Sequence, residues 1–138
     1  MIKRGAGYPE PRFRKGRAMK IKEVIAWVDE IKPNAFSTET KIRWLSQLEG
    51  TLAAEVFLMA PAEVEQLQYT AEDMEMELLL EPPYDDIYEL WLAAKIDEAN
   101  GEYNKYQNTM QSYNARRGAF VCWFCGLFDP AQGYRTPD

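Results

Sequence analysis

The amino-acid sequence predicts an all-α fold: a small helical bundle of about three main helices, with one long C-terminal helix and an irregular acidic loop. Three separate stretches repeat their apolar residues at steps of three and four, which is the helical period. Prolines stand at the borders of these stretches, where helices begin or end. With 138 residues and 46% hydrophobic side chains, the chain is large enough for one domain with its own core.

The first two helices are predicted at residues 21–32 and 38–58. Lys32-Pro33 ends the first helix, because proline disfavours the helical conformation of the residue before it. Ser37 is a favourable N-cap for the second helix. The two apolar stripes consist of Ile21, Val24, Ile25, Val28 and Ile31, and of Ile42, Leu45, Leu48, Leu52 and Val56.

Residues 60–82 form the irregular acidic loop of this prediction. Residues 75–78 alternate polar and apolar side chains, and two further leucines follow before Pro82-Pro83. We expect residues 76–80 to be extended and to pack on the last helix as a short edge strand.

The last helix is predicted at residues 83–124. Pro82-Pro83 and the acidic residues after them are typical of a helix start. A single uninterrupted helix from Tyr84 to Phe124 would be roughly 60 Å long. That exceeds the diameter of so small a domain, so part of it should project and pack on another subunit. Gly101 is the weak point, where the helix can bend or contact another backbone closely.

One seam of this helix predicts a subunit or partner interface. Its spacing averages 3.5 residues, as in helices that bury one narrow stripe. Residues 119–125 are apolar on every side, which indicates burial all round. Tyrosines with asparagine neighbours can also stack on sugars or bases, but we favour helix–helix contact. The predicted interface residues are Tyr103, Tyr106, Met110, Tyr113, Phe120, Trp123 and Phe124.

Both ends of the chain lie outside the predicted helical domain, residues 19–128. Residues 1–18 hold six cations and few apolar side chains, so we expect a flexible basic arm. Such an arm can bind nucleic acid or an acidic protein surface, or it can be a non-native extension before Met19, which has the form of a natural start. Residues 129–138 are a polar tail. The binding residues proposed for the arm are Arg12, Arg14, Lys15 and Arg17.

The charge of the chain is unevenly distributed. After residue 20 there are nine cations and 21 acidic residues, and no Lys or Arg lies between Arg43 and Lys95. This acidic span is either an ordinary solvated face or a surface that repels polyanions or meets a basic partner.

The sequence offers no catalytic constellation and no set of cofactor ligands. There is no histidine, no phosphate-cradling glycine loop and no nucleophile paired with a base, so we predict that the chain is not an enzyme. Cys122 and Cys125 have a C-x-x-C spacing but lack two further zinc ligands, so we expect them to be buried, reduced and metal-free. No apolar run approaches the roughly 20 residues of a membrane span, and no secretory signal is recognisable.

An ordered set of motifs resembles a family of small proteins encoded by tailed phages and Firmicutes prophages, the head–tail connector or adaptor proteins. The resemblance covers residues 19–118. The motifs are Trp27-Val28-Asp29-Glu30, Lys32-Pro33-Asn34, Lys41-Ile42-Arg43-Trp44-Leu45, Pro82-Pro83-Tyr84-Asp85-Asp86-Ile87-Tyr88, Ala94-Lys95-Ile96-Asp97, Asn100-Gly101-Glu102-Tyr103, Tyr106-Gln107-Asn108 and Tyr113-Asn114.

The resemblance implies an all-α subunit of a homo-oligomeric ring in the virion, assembled in the host cytoplasm. Such a ring stands between the portal and tail-side proteins, and DNA passes through it without sequence recognition. The resemblance carries no catalytic residues. The alternative that the residues leave open is a nucleic-acid-binding regulatory protein that uses the basic arm.

Overall fold

A computed structural model describes residues 18–127, and the all-α prediction is confirmed. These residues contain no β-strand, only an isolated bridge between Lys20 and Glu77. The helices are α1 (Ile21–Ile31), α2 (Thr38–Glu55), α3 (Pro61–Glu65), α4 (Asp86–Ala99) and α5 (Tyr103–Leu127), with one 3-10 turn at Ala71–Asp73.

The first two helices lie close to their predicted bounds. The Ser37 side chain accepts a hydrogen bond from the Thr40 amide at 3.1 Å, which confirms the predicted N-cap. α2 ends at Glu55, earlier than predicted, because the chain turns sharply afterwards. Leu58 has a φ of 53°, in the left-handed region that side chains rarely adopt.

The prediction of one helix over residues 83–124 is wrong, because the chain reverses at Gly101. Gly101 has a φ of 75°, which glycine adopts without a steric penalty. α4 and α5 therefore form an antiparallel hairpin. The Trp91 and Tyr113 rings lie 5.3 Å apart, and Arg116 Nε donates to Asp86 Oδ2 at 3.0 Å. The expected projecting rod does not exist, and the apolar seam of α5 is used within the chain.

α1, α2 and α4 surround the main core, and the predicted apolar stripes supply most of it. The Trp91 indole donates to the Trp44 carbonyl at 2.8 Å and thereby links α4 to α2. The fully buried core residues include Ile21, Val24, Val28, Leu45, Leu52, Leu78, Ile87, Leu92 and Ile96.

Ion pairs join the helix ends around this core. Buried Lys41 of α2 pairs with Asp29 of α1 at 2.7 Å. Asp97 of α4 is 1% exposed and pairs at 3.1 Å with Lys32, which follows α1. In each pair one partner is buried and the other is partly exposed, so removing the partly exposed partner would leave an uncompensated buried charge.

Residues 76–80 close the core without forming a strand. The Leu78 amide donates to the Met19 carbonyl and the Ile21 amide to the Met76 carbonyl, each at 3.0 Å. The segment therefore pairs with the start of α1 by a single bridge instead of forming the predicted edge strand. Ala18 is buried, so the folded part includes this residue of the predicted arm. The rest of the arm, with Arg12, Arg14, Lys15 and Arg17, and the tail lie outside the described residues.

Replacing Gly101 by alanine should destabilise the hairpin. The substitution forces a side chain into a left-handed conformation and should lower the free energy of unfolding by about 1–2 kcal/mol in urea denaturation. Gly50→Ala is the control, because a Cβ at Gly50 would meet only Val64 Cγ1, at 3.8 Å. In the middle of α2 this change should stabilise by about 0.5–1 kcal/mol. Equal effects of the two changes would contradict the assigned turn.

Candidate interaction surfaces

One buried carboxylate holds the interior elements together, and the exposed surfaces belong to these elements. Glu49 of α2 is fully buried. Its Oε1 accepts a hydrogen bond from the Tyr88 hydroxyl at 2.5 Å, and its Oε2 accepts from the Tyr69 hydroxyl at 3.1 Å and the Leu79 amide at 2.7 Å. The Tyr88 hydroxyl in turn accepts from the Leu80 amide at 2.9 Å. This network fixes the acidic loop against α2 and α4.

The network also sets the protonation of Tyr88. Burial raises the pKa of Tyr88 well above its usual range, and the negative charge of Glu49 raises it further. Because the hydroxyl stays protonated, it remains a donor to the carboxylate. The cluster is enclosed by the core, so its role is to hold the fold together.

Tyr88→Phe should therefore be strongly destabilising. The change removes one donor to Glu49 and the acceptor of the Leu80 amide, and leaving such buried groups unsatisfied costs about 2–3 kcal/mol. Tyr103→Phe is the control, because Tyr103 is exposed and its hydroxyl should contribute less than about 0.5 kcal/mol. Urea unfolding measures both changes, and similar losses would show that the network is not a main support of the fold.

Alkaline pH gives a second measure of the Tyr88 hydroxyl. The raised pKa means that the folded state retains this proton above the ordinary value of 10.0, whereas the unfolded state loses it. The free energy of unfolding should therefore fall as pH rises above that value, by the linkage of protons to folding. Tyr88→Phe lacks this group and should show a shallower decline between about pH 10 and 11. An unchanged slope would contradict the assignment.

The structure distributes the predicted interface residues over three environments. Tyr113 and Phe120 are buried in the core of the chain itself, at 5% and 3% exposure. Tyr106, Met110 and Phe124 are partly buried, and Met110 and Phe124 pack on the core. Only Tyr103 and Trp123 are largely exposed, at 63% and 50%. The seam that the sequence suggested for a partner is mostly the contact of α5 with its own chain.

Beyond Lys105, the side of α5 that faces away from the chain is exposed and uncharged. Arg116 and Arg117 are the only charged residues between Lys105 and Leu127, and they pair with Asp86 and Glu55 at 3.0 and 3.2 Å. We call the exposed side the outer face of α5. It consists of Asn104, Asn108, Gln111, Ser112, Ala115, Gly118, Ala119, Cys122 and Cys125.

The single chain does not itself bury the two cysteines. Cys122 and Cys125 are free thiols and both are exposed. The sequence predicted that residues 119–125 are buried on every side. In the structure, one side of this segment packs against the chain, and the two cysteines lie on the opposite side. Within residues 18–127, no group of three or more His, Cys, Asp or Glu side chains is placed to hold a metal ion.

An aromatic cluster lies near the C-terminal end of α5. Phe57 packs edge-on against Phe124 with ring centroids 4.9 Å apart, and Tyr84 contacts Phe120 at 5.3 Å and Trp123 at 5.5 Å. Leu58, next to Phe57 in the chain, is 78% exposed. This aromatic end therefore presents apolar side chains to the surface, although its centre is packed.

A shallow groove of about 630 Å³ lies between α1 and α4. Met19, Ala26 and Trp27 are its apolar lining residues, and Trp27 is 47% exposed. All of its charged lining residues are acidic: Glu23, Glu30 and Glu89. We call it the α1–α4 groove. Burial raises the pKa of Glu89, and the charges of Asp85 and Asp86 raise it further, so the groove lies in a negative environment.

Comparison with known proteins assigns no relative to this fold or these surfaces. No family model, curated protein or solved structure matches the chain. Within residues 18–127, no helix is both long and apolar enough to span a membrane.

Proposed function

We propose that this chain is a structural virion protein, a head–tail connector or adaptor subunit that forms a ring between portal and tail. The order of motifs over residues 19–118 supports the class of protein. The observation that carries the assembly is the outer face of α5, which is exposed yet uncharged in a chain whose residues are 28% charged.

The chemistry of the outer face favours a second helix as its partner. Helices that face water normally carry charged residues on the exposed side. Here Asn108, Ser112, Ala115, Ala119 and Cys122 follow one another at steps of four and three, the spacing of a helix–helix seam. Their small side chains allow two backbones to approach closely. The stretch from Asn104 to Cys125 is about 32 Å long, which gives room for an extended contact between neighbouring subunits.

The net charge of the described residues is compatible with the passage of DNA. Residues 18–127 contain nine Lys and Arg and nineteen Asp and Glu, a net charge of −10. An acidic surface repels the phosphate backbone, so DNA can pass such a ring without adhering to it.

Charges placed on the outer face should prevent assembly without unfolding the subunit. We expect the double variant Ala115→Glu and Ala119→Glu to keep its helical circular dichroism and melting temperature, since both positions are exposed, while native mass spectrometry shows monomers in place of oligomers. The control is Gln47→Glu on the exposed side of α2, which should still assemble. A wild-type chain that is monomeric at high micromolar concentration, alone and with portal protein, would refute the proposal.

Trp123 offers a separate test of docking to the portal or tail-side proteins. Its side chain is half exposed, and truncating an aromatic anchor of an interface often costs about 2 kcal/mol or more of binding free energy. Trp123→Ala should therefore weaken binding to portal protein at least tenfold in a titration, since each 1.4 kcal/mol is about tenfold. Phe124→Ala is less informative, because Phe124 also packs on Phe57 and Phe120. If Trp123→Ala binds portal protein with the same affinity as the wild type, the docking surface lies elsewhere.

The second candidate function is nucleic-acid binding through the basic arm. The observation that favours it is the concentration of six of the sixteen Lys and Arg residues in residues 1–17. Replacement of Arg12, Arg14, Lys15 and Arg17 by serine should then abolish duplex DNA binding in low salt. A connector subunit should show little DNA binding with or without these cations.

A further inference from the structure

We propose that the α1–α4 groove binds the basic segment of the same chain, residues 12–17. The groove is a docking surface that the proposed function does not use. Its lining consists of apolar and acidic residues, and a cationic segment of the chain precedes α1, which forms one of its sides. Each of these three features favours the same occupant.

The groove fits an arginine side chain better than it fits an apolar one. The half-exposed Trp27 ring offers a flat face on which a guanidinium can stack. Glu30 and Glu89 lie on α1 and α4, and Glu89 already accepts a hydrogen bond from the Trp27 side chain, so a cation above Trp27 meets Glu30 on one side and the Trp27–Glu89 pair on the other. Glu23 adds a third carboxylate, although its Oε1 already accepts from the Lys20 amide at 2.8 Å.

The nearest lysines of the domain are directed to another carboxylate. Lys20 and Lys22, at the start of α1, both pair with Glu75 of the acidic loop. Neither lines the groove, where every charged residue is acidic. Glu89 has Asp85 and Asp86 as acidic neighbours, so this end of the groove attracts an entering cation.

The basic segment lies close to the groove along the sequence. Arg17 precedes Met19, a groove residue, by two positions, and Arg12 precedes it by seven. At about 3.5 Å per residue, these cations can reach at most roughly 7 and 25 Å from Met19. A tethered ligand has an effective concentration in about the millimolar range, which favours it over a separate basic peptide.

Docking in the groove would also change what the segment can do. Arg12, Arg14, Lys15 and Arg17 would neutralise part of the acidic face of α1 and α4. The same side chains would then be unavailable to phosphates. The inference therefore opposes the DNA-binding alternative and does not depend on ring assembly.

Limited trypsin digestion of the full chain tests the inference, because trypsin cleaves after arginine and lysine. In Glu30→Gln with Glu89→Gln, we expect cleavage after Arg14 and Arg17 to be about tenfold faster than in the wild type. The control is Glu65→Gln with Glu72→Gln, which removes the same charge from exposed positions outside the groove and should leave the rate unchanged. Equal rates in all three proteins would overturn the inference. Protection that grows with protein concentration would also overturn it, because the segment would then bind a second copy.

The indole resonance of Trp27 gives an independent readout in the folded chain. Replacing Arg12, Arg14, Lys15 and Arg17 by serine should shift the Trp27 Nε1–H signal, while those of Trp44, Trp91 and Trp123 serve as internal references. Lys3→Ser with Arg4→Ser is the matched control, since these cations are fifteen or more residues from Met19. An unshifted Trp27 signal in the fourfold variant would overturn the inference even if the digestion rates differed.

Discussion

The carboxylate of Glu49 is the interaction on which the arrangement of the chain depends. It accepts hydrogen bonds from the Tyr69 and Tyr88 hydroxyls and from the Leu79 amide, so one α2 side chain binds the acidic loop and α4 together. An apolar residue at this position could fill the space, but it could not satisfy the loop amide and the hydroxyls. Such a buried polar network favours one arrangement over the many that apolar contacts alone permit. The irregular segment after α3 is consequently ordered without a strand or a long helix of its own.

α1 and α2 could be predicted because local signals and tertiary packing agree. Their apolar stripes face the core except at Ile31, which is 56% exposed, and Ser37 caps α2 as its type suggests. The hairpin could not be predicted from periodicity, because the stripe continues at the same spacing through Gly101. Two antiparallel helices that pack on each other each bury one stripe, so a folded-back pair and one straight helix give the same pattern. The conformation of Gly101 and the contacts between α4 and α5 distinguish them.

The ambiguity between a hairpin and one straight helix also explains which surface features the sequence did not predict. The sequence assigned Tyr113 and Phe120 to a partner because they lie on an apolar seam of a helix that was expected to project, and the hairpin buries both within the chain. Of the uncharged outer face, the sequence indicated only the segment from Ala119 to Cys125, since the small polar side chains before it give no apolar signal. Glu49 did leave a signal: it stands between Leu45 and Leu52 at steps of four and three, on the apolar stripe of α2. An acidic residue at such a position is a candidate for a buried network.

The unequal lengths of α4 and α5 have a consequence for local opening. α4 has 14 residues and α5 has 25, and Arg116 already lies beside Asp86 at the start of α4. The last eleven residues of α5, about 16 Å, therefore extend beyond its partner helix. There the aromatic rings of Phe57 and Tyr84 supply the contacts that α4 supplies elsewhere. Backbone amides of this overhang can exchange with solvent by local fraying, without opening of the Glu49 network. Within the described residues, the free energy of opening along α5 should therefore decrease from Arg116 towards Leu127.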